Sequence, residues 1–285
     1  MSNQKAQELL ESADKKATQK GWFSGPKFDE AGELYEQASN QFKLSRQMGK
    51  AGEAMVKAAQ MSLNLNDTHD AAQRFITASK AFKKTHPEQA VDALAQAVSI
   101  LREDGKFRIA AAHEKEIGKL SEELSDLERA MRAYEQAAQW YADDDSTALA
   151  SGCLVKAASL AAQLENYTHA VELFEGIAEG AVDDSLTKWS VKDYFFKAAL
   201  CRLAIPDAIG AAEGLKRYQE LDPSFSKTRE CGFLDEIIGD IQNSDLQSFT
   251  DHVANYDSVS QLDNWKTTLL LRIKRQVVEA EEDLT

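Results

Sequence analysis

Three consecutive carboxylates, Asp143 to Asp145, are the residues whose type and spacing come nearest to a chemical site. Clustered carboxylate oxygens suit hard cations such as Ca²⁺ and Mg²⁺, and a metal-assisted hydrolase would need such a group. The run follows a predicted helix and precedes a Ser-Thr turn, where short polar side chains commonly cap the next helix. We therefore expect a solvated capping loop here rather than a metal site.

The other residue types that support catalysis are scattered. Neither of the phosphate-binding patterns GxxxxGK[ST] and GxGxxG occurs, and none of the five histidines pairs with another ligand at metal spacing. Cys153 lies at an apolar helical position, which favours an inert core thiol. The three cysteines are unpaired in spacing and predict reduced thiols in the cytosol. The sequence predicts a protein that is not an enzyme and uses no cofactor.

One aromatic pair lies where neither helix nor strand is expected. The stretch GWFSGPKF, residues 21–28, places Trp22 and Phe23 among two glycines and a proline. The rings could fold back over a hydrophobic core, or they could contact something outside the protein. The residues by themselves leave both alternatives open.

Composition limits the class of protein. The chain has 285 residues, of which 43% are hydrophobic and 28% charged, enough for one large domain or two smaller ones. No run approaches the roughly 18 apolar residues of a membrane span, and the polar start does not resemble a signal peptide. A net charge of −14 disfavours nonspecific nucleic-acid binding but leaves room for a local basic face.

Alanines recur about every twenty residues and mark a helical repeat. A large apolar residue usually follows each alanine by four positions, with Glu114 as an exception, and a small or branched residue follows by seven. Positions i, i+4 and i+7 share one helix face, so each step predicts one amphipathic helix. The alanines are Ala31, Ala51, Ala71, Ala90, Ala110, Ala130, Ala150 and Ala170.

Candidate N-cap residues mark where the individual helices of this repeat begin. Thr85 to Glu88 and Ser125 to Glu128 have the spacing of capping boxes, and Asp29 and Asp67 are further N-cap candidates. Because the gaps are short, neighbouring helices must pack antiparallel. Two helices then form a repeat of about 40 residues, in the range of tetratricopeptide arrays. We predict an all-α, tetratricopeptide-like array of helical hairpins over residues 1–223.

The register changes after about residue 180. A strongly apolar helix is predicted from Lys188 to Leu203, and the segment DPSFSKTREC opens a last region. Helices near 226–241, 245–255 and 258–278 predict a compact C-terminal helical bundle over residues 224–285, capping the array.

Several long strings resemble the soluble NSF attachment proteins over essentially the whole chain, most closely the α-type and its fungal counterparts. They are AAQRFITASKAFKK, DGKFRIAA, AMRAYEQAAQWY, KWSVKDYFFKAALC, DPSFSKTREC and YDSVSQLDNWKTTLLLRIKRQVVEAEEDLT. The resemblance implies a twisted helical array that acts as an adaptor. Such proteins bind the assembled four-helix SNARE bundle and recruit the hexameric ATPase NSF, which disassembles it during vesicle transport and membrane fusion. It also implies a cytoplasmic protein associated peripherally with membranes.

The resemblance assigns a SNARE-facing surface. Its basic contacts would be Lys106, Lys156, Lys188, Lys192 and Arg229, with Leu186 as an apolar contact. At two further positions, Ala112 and Gly152 replace a lysine that other members of the family carry.

The resemblance also implies a binding role for residues near each end of the chain. Trp22 and Phe23 occupy the loop that dips into the membrane in this family. The acidic ending with its penultimate leucine would engage and stimulate NSF through Glu281, Glu282, Asp283 and Leu284. The preceding helix, with Leu262, Trp265, Leu269 and Ile273 on one face, would be its rigid mount.

A different interaction protein is the main alternative. A peptide-binding tetratricopeptide-like scaffold, serving a chaperone or another cytosolic complex, would hold a peptide carboxylate with a Lys/Asn clamp. No Lys and Asn recur at repeating helix positions, and the acidic tail has no purpose in that interpretation. A hydrolase acting through Asp143 to Asp145 is a third, more weakly supported hypothesis.

Overall fold

The computed structural model describes residues 2–19, 26–184 and 187–283, with side chains omitted for residue 2 and for 279–283. Fourteen α-helices, one short 3₁₀ helix (Phe225–Lys227) and no strand occur within these ranges. The α-helices are α1 (Ser2–Ala17), α2 (Phe28–Leu44), α3 (Met48–Asn64), α4 (Thr68–Phe82), α5 (Pro87–Glu103), α6 (Phe107–Glu123), α7 (Leu127–Asp143), α8 (Thr147–Gln163), α9 (Tyr167–Ala181), α10 (Lys188–Leu203), α11 (Ala208–Leu221), α12 (Arg229–Gln242), α13 (Leu246–Val259) and α14 (Asn264–Asp283).

The chain forms two compact units, Met1–Ala150 and Ser151–Thr285. In the first unit each helix from α1 to α6 packs on the next one in the sequence. Connections of three or four residues from α2 onward force consecutive helices to run antiparallel. The predicted all-α fold of helical hairpins is therefore confirmed.

A single turn type recurs between the helices. A residue with positive φ, between 55° and 72°, lies in the turn at Arg46, Asn66, Gly105, Ser125, Asp145 and Glu165. The next amide then donates back to the preceding helix, as from Gln47 to the carbonyl of Phe42 at 2.9 Å. This geometry closes the helix C-terminus. These turns therefore recur at the same interval of about twenty residues as the alanines.

The alanine repeat lies in the core, as predicted. All eight alanines are buried. The residues seven positions later, which are alanines except for Ile117 and Ile177, are buried as well. A side chain as small as alanine lets neighbouring helices approach closely, while the larger residues fill the grooves.

The predicted caps are only partly confirmed. Asp67 caps α4 by accepting the Asp70 amide at 3.0 Å. The prediction for Ser125 was wrong, because this residue takes the left-handed turn position and the next one, Asp126, accepts the amide of Arg129 at 3.0 Å.

Two further caps were wrong in the same way. Thr85 is not the N-cap of α5; His86 is, and it makes no side-chain capping bond. Asp29 lies inside the first turn of α2, whose N-cap is Lys27. Sequence spacing placed both candidates one or two positions away from the observed N-cap.

In the second unit, α10 has the predicted bounds, Lys188–Leu203. The last predicted helix begins later than expected, at Asn264. Asp263 accepts the Lys266 amide at 2.8 Å and starts the helix there, and Asp257 accepts the Leu262 amide at 2.7 Å in the connection before it. The division into domains after residue 223 stays a prediction.

None of the helices in the described part of the chain has the length and apolar composition needed to cross a bilayer.

Candidate interaction surface

Three of the predicted basic residues lie close together in the second unit. Lys188 and Lys192 are one turn apart on α10 and both are exposed. Arg229 begins α12 and is followed by Glu230, whose carboxylate lies 3.1 Å from the Lys192 ammonium. This ion pair joins Lys192 to the first turn of α12, in which Arg229 lies. We refer to Lys188, Lys192 and Arg229 as the cationic cluster.

An exposed tryptophan accompanies the cationic cluster. Trp189 is 78% exposed, and the Lys188 ammonium lies 5.6 Å from the centroid of its ring. Val259 is also 65% exposed and precedes Ser260, which accepts a hydrogen bond from Arg229 at 3.3 Å. The cluster therefore combines positive charge with accessible apolar surface, a combination typical of protein interfaces.

The sequence interpretation missed Trp189. Apolar periodicity assigns the aromatic residues of KWSVKDYFF to the core, and Val191, Phe195 and Phe196 are indeed buried. Trp189 lies off that face of α10. Its position between two lysines predicted to bind a partner was the available signal.

The other two predicted lysines lie on other elements of the chain. Lys156 is exposed on α8 in the second unit. Lys106 lies in the first unit, immediately before α6, where its ammonium is 3.1 Å from the Asp104 carboxylate.

A network of buried charged and polar side chains stabilises the C-terminal turn of α10. Glu175 of α9 is only 9% exposed, and its carboxylate lies 2.6 Å from the guanidinium of Arg202 on α10. Arg202 also donates to the Tyr218 hydroxyl of α11 at 3.0 Å. Burial and the Glu175 charge raise the pKa of Tyr218, so the phenol stays protonated as a donor. The network therefore joins α9, α10 and α11 at the C-terminal turn of α10.

The run 143–145 is exposed at the end of α7, as predicted for a solvated loop, and its capping of the next helix stays a prediction. Asp145 takes the left-handed turn position, and Asp144 accepts from the Ser146 hydroxyl at 3.1 Å. The Arg108 guanidinium lies 3.6 Å from the same Asp144 carboxylate. Within the described residues, no group of three His, Cys, Asp or Glu side chains is arranged to hold a metal.

The three cysteines, at positions 153, 201 and 231, are buried thiols outside any disulfide bond. Burial raises the pKa of Cys201, which keeps the thiol protonated and unreactive.

Several predicted site residues lie outside the described residues. These are Trp22, Phe23, Leu186 and Leu284, and for Glu281, Glu282 and Asp283 only the helical backbone of α14 is described.

The helix that bears the acidic tail, α14, is anchored through three of the four residues predicted to share one of its faces, whereas Leu262 precedes the helix, which begins at Asn264. The Trp265 indole N–H donates to the Ser159 carbonyl at 3.1 Å, and its ring packs edge-on against Phe174 at 5.9 Å. Leu269 and Ile273 are buried on the same helix.

The helical hairpins and an exposed cationic and aromatic surface define a helical-repeat interaction protein. The family model described as "Soluble NSF attachment protein, SNAP" matches residues 4–278, and the chain belongs to this family. It is 42% identical to the alpha-soluble NSF attachment protein of Mus musculus, over 98% of this chain and 97% of that protein. It is also 42% identical to the probable vesicular-fusion protein sec17 homolog of Schizosaccharomyces pombe, over 98% of each chain.

A signal transduction ATPase with a tetratricopeptide repeat sensor from Pyrococcus horikoshii is similar at a TM-score of 0.44 and 16% identity. The match covers 99% of this chain and 41% of that one.

Proposed function

We propose that this protein is an adaptor that binds assembled SNARE bundles and recruits and stimulates an NSF-type ATPase for their disassembly. It would act without catalysis of its own and without a cofactor. Family membership over residues 4–278 supports this role, as do relatives named for NSF attachment and vesicular fusion.

The observation that carries the proposal is the cationic cluster with its exposed Trp189. A bundle with an acidic exterior would be attracted by the ammonium and guanidinium groups, and the indole would supply buried contact area. Each exposed ion pair contributes only about 0–1 kcal/mol, so the affinity depends on the whole set. Lys106, Lys156 and Leu186 are proposed to extend this surface.

The acidic tail is proposed to engage the ATPase. Glu281, Glu282 and Asp283 would bind its basic surface, and Leu284 would be needed to stimulate ATP hydrolysis. Anchoring of α14 through Trp265 supports this role, because a fixed helix gives the tail a rigid base.

The loop with Trp22 and Phe23 is proposed to contact the membrane surface. Shallow burial of the two rings contributes roughly 2–4 kcal/mol at about 25 cal/mol per Å². This gives a cytoplasmic protein with weak, reversible peripheral attachment that needs several copies to act together.

A disassembly assay with a fluorescently labelled SNARE bundle, NSF and ATP tests the adaptor function. Wild type should drive disassembly. Leu284→Ala should bind the bundle without driving NSF, and the double variant Lys156→Glu, Lys192→Glu should not bind. A matched charge change at exposed lysines elsewhere, Lys119→Glu with Lys216→Glu, should retain binding. A wild-type protein that neither binds the bundle nor stimulates NSF would refute the proposal.

Co-sedimentation with liposomes tests the membrane contact. Trp22→Ser with Phe23→Ser should abolish co-sedimentation at unchanged melting temperature, whereas Leu44→Ser, at an exposed leucine of α2, should not. If the loop variant stays bound or melts earlier, the rings cap the core instead.

A further inference from the structure

A cavity of about 340 Å³ opens between α3 and α5 in the first unit. Its floor is formed by Phe75 and Phe82 of α4. Its walls and rim are formed by Glu53, Val56, Gln89, Asp92, Ala93 and Gln96. This volume is in the range of pockets that bind small ligands or side chains.

Local sequence features explain why the cavity is there. Positions 89, 92, 93 and 96 share one face of α5, so two turns of that helix line the opening. Gly52 of α3 lets the Phe82 ring approach, since a Cβ at this position would lie 2.5 Å from the ring. The aromatic floor therefore depends on a residue without a side chain.

The preceding hairpin shows what covers an equivalent aromatic pair. Tyr35 and Phe42 of α2 follow Ala31 by four and eleven positions, as Phe75 and Phe82 follow Ala71. In that hairpin, the Lys57 ammonium lies 5.5 Å from the centroid of the Tyr35 ring, and the Lys50 ammonium lies 5.8 Å from that of Phe42. Two cations of α3 thus cover two rings of α2, a favourable arrangement.

A carboxylate completes the arrangement in that hairpin. Asp14 of α1 lies 2.8 Å from the Lys57 ammonium and accepts from the Tyr35 hydroxyl at 2.6 Å. Burial opposes ionisation of Asp14, but the bonds from Lys57 and Tyr35 outweigh it and lower the pKa of the carboxyl. The cation is therefore held between a ring and an ionised carboxylate.

One hairpin later, the cations are missing from these positions. Gln89 and Gln96 stand relative to Ala90 where Lys50 and Lys57 stand relative to Ala51. The rings of the cavity floor remain, and carboxylates remain on both walls, Glu53 on α3 and Asp92 on α5. The Arg129 guanidinium lies 3.7 Å from Asp92 and partly offsets its charge, which leaves Glu53 as the main negative group.

We propose that this cavity binds a lysine or arginine side chain from a basic segment of a partner protein. The incoming cation takes the place that Lys57 has one hairpin earlier, over the ring of Phe75 and beside Glu53. The aliphatic stem of that side chain packs on Val56 and Ala93, and the amides of Gln89 and Gln96 bind the partner's main chain. None of the residues proposed for SNARE, NSF or membrane contact lines this cavity, so it is a separate site.

The site is particular to this step of the array. In α6, the positions equivalent to Phe75 and Phe82 are Glu114 and Ser121. Neither residue has an aromatic ring that could contact a cation. The sequence therefore gives α6 no equivalent of the aromatic pair of α4.

Titration of the full chain with short peptides tests this inference. The probe is acetyl-Ala-Leu-Lys-Leu-Ala-amide, compared with its arginine and norleucine analogues by calorimetry and by shifts of the phenylalanine ring resonances. The lysine and arginine peptides should bind, and the neutral norleucine peptide should bind about tenfold more weakly because it lacks the cation. Gln96→Lys should abolish binding, because its own ammonium fills the site. Glu53→Gln should weaken binding, and Glu33→Gln, on exposed α2 surface, should not.

Three outcomes would overturn the inference. Equal binding of the norleucine peptide would make the cavity a purely apolar pocket. Self-association of the wild type that Gln96→Lys removes would make a second copy the occupant. No binding of any peptide by a folded wild-type chain would leave the cavity without this role.

Discussion

The ammonium of Lys192 on α10 lies 3.1 Å from the carboxylate of Glu230 on α12. The pair joins two residues that are 38 positions apart in the chain, and it ties Lys192 to the first turn of α12, in which Arg229 lies. A cation proposed to meet an acidic partner is thus already paired within its own chain. The partner must compete with Glu230, which makes this carboxylate a control on affinity.

Glu230→Gln should therefore tighten binding to an acidic SNARE bundle by a few-fold at low salt, because it releases Lys192. The gain should vanish at high salt, where exposed charges are screened. Fluorescence anisotropy with labelled bundle measures both. Glu213→Gln, an equal charge change on α11, should have little effect. A weaker Glu230→Gln complex would show that the pair is needed to orient Lys192.

Trp189→Ala should lower affinity for the bundle about tenfold or more, as truncation of an interface tryptophan commonly does. Because the side chain is 78% exposed, the free energy of unfolding should change by less than about 0.5 kcal/mol. Ile209→Ala, at a residue 70% exposed on α11, is the matched control and should leave binding intact. Unchanged affinity of Trp189→Ala would place the indole outside the interface.

Gly152→Lys should strengthen binding, because it adds a cation one turn before Lys156 on α8. Nothing lies within 4 Å of a Cβ at Gly152, so the side chain fits. Replacing a helical glycine should also raise stability by about 0.5–1 kcal/mol. Gly176→Lys on α9 is the matched control, since a Cβ at Gly176 also has nothing within 4 Å. It should raise stability by a similar amount without raising affinity for the bundle. Equal affinity gains in both variants would indicate a nonspecific charge effect.

Glu175→Gln should destabilise the protein by about 2–3 kcal/mol, because it leaves the Arg202 guanidinium without its charged partner in a partly buried site. Glu179→Gln is the matched control. Glu179 pairs with Arg217 at the surface and should cost less than about 1 kcal/mol. Urea unfolding followed by circular dichroism measures both. Equal losses in the two variants would contradict a special role for the buried network.

His252 should make stability depend on pH. Its ring lies 2.7 Å from the Asp240 carboxylate, which raises the pKa of the imidazole, and Glu236 and Asp251 add to the effect. A pKa raised in the folded state stabilises fully below the unfolded value of about 6.5. The stabilisation is lost as pH rises through the folded pKa.

The measurement is the free energy of unfolding of wild type and His252→Gln between about pH 5.5 and 8.5. Wild type should lose stability relative to the variant as the pH rises. Parallel curves for the two proteins would show that the imidazole does not titrate differently on folding.

Helix periodicity and the alanine step predicted the hairpins, because burial of one face of a helix follows directly from residue spacing. The bounds of α10 followed from its apolar run and the turn residues around it. Caps were less predictable. The turn fixes which residue takes positive φ, so Asp126 rather than Ser125 starts α7.

The sequence by itself determined the helices, the family resemblance and the identity of the basic residues. Only the tertiary structure decided which of those residues meet. Lys192 and Glu230 are brought together by packing of α10 and α12 across 38 residues, which no local pattern encodes. Trp189 is exposed because Val191 and Phe195 define the buried face of α10. The cavity over Phe75 and Phe82 exists because α3 and α5 pack on α4, with glutamines where the preceding hairpin has lysines.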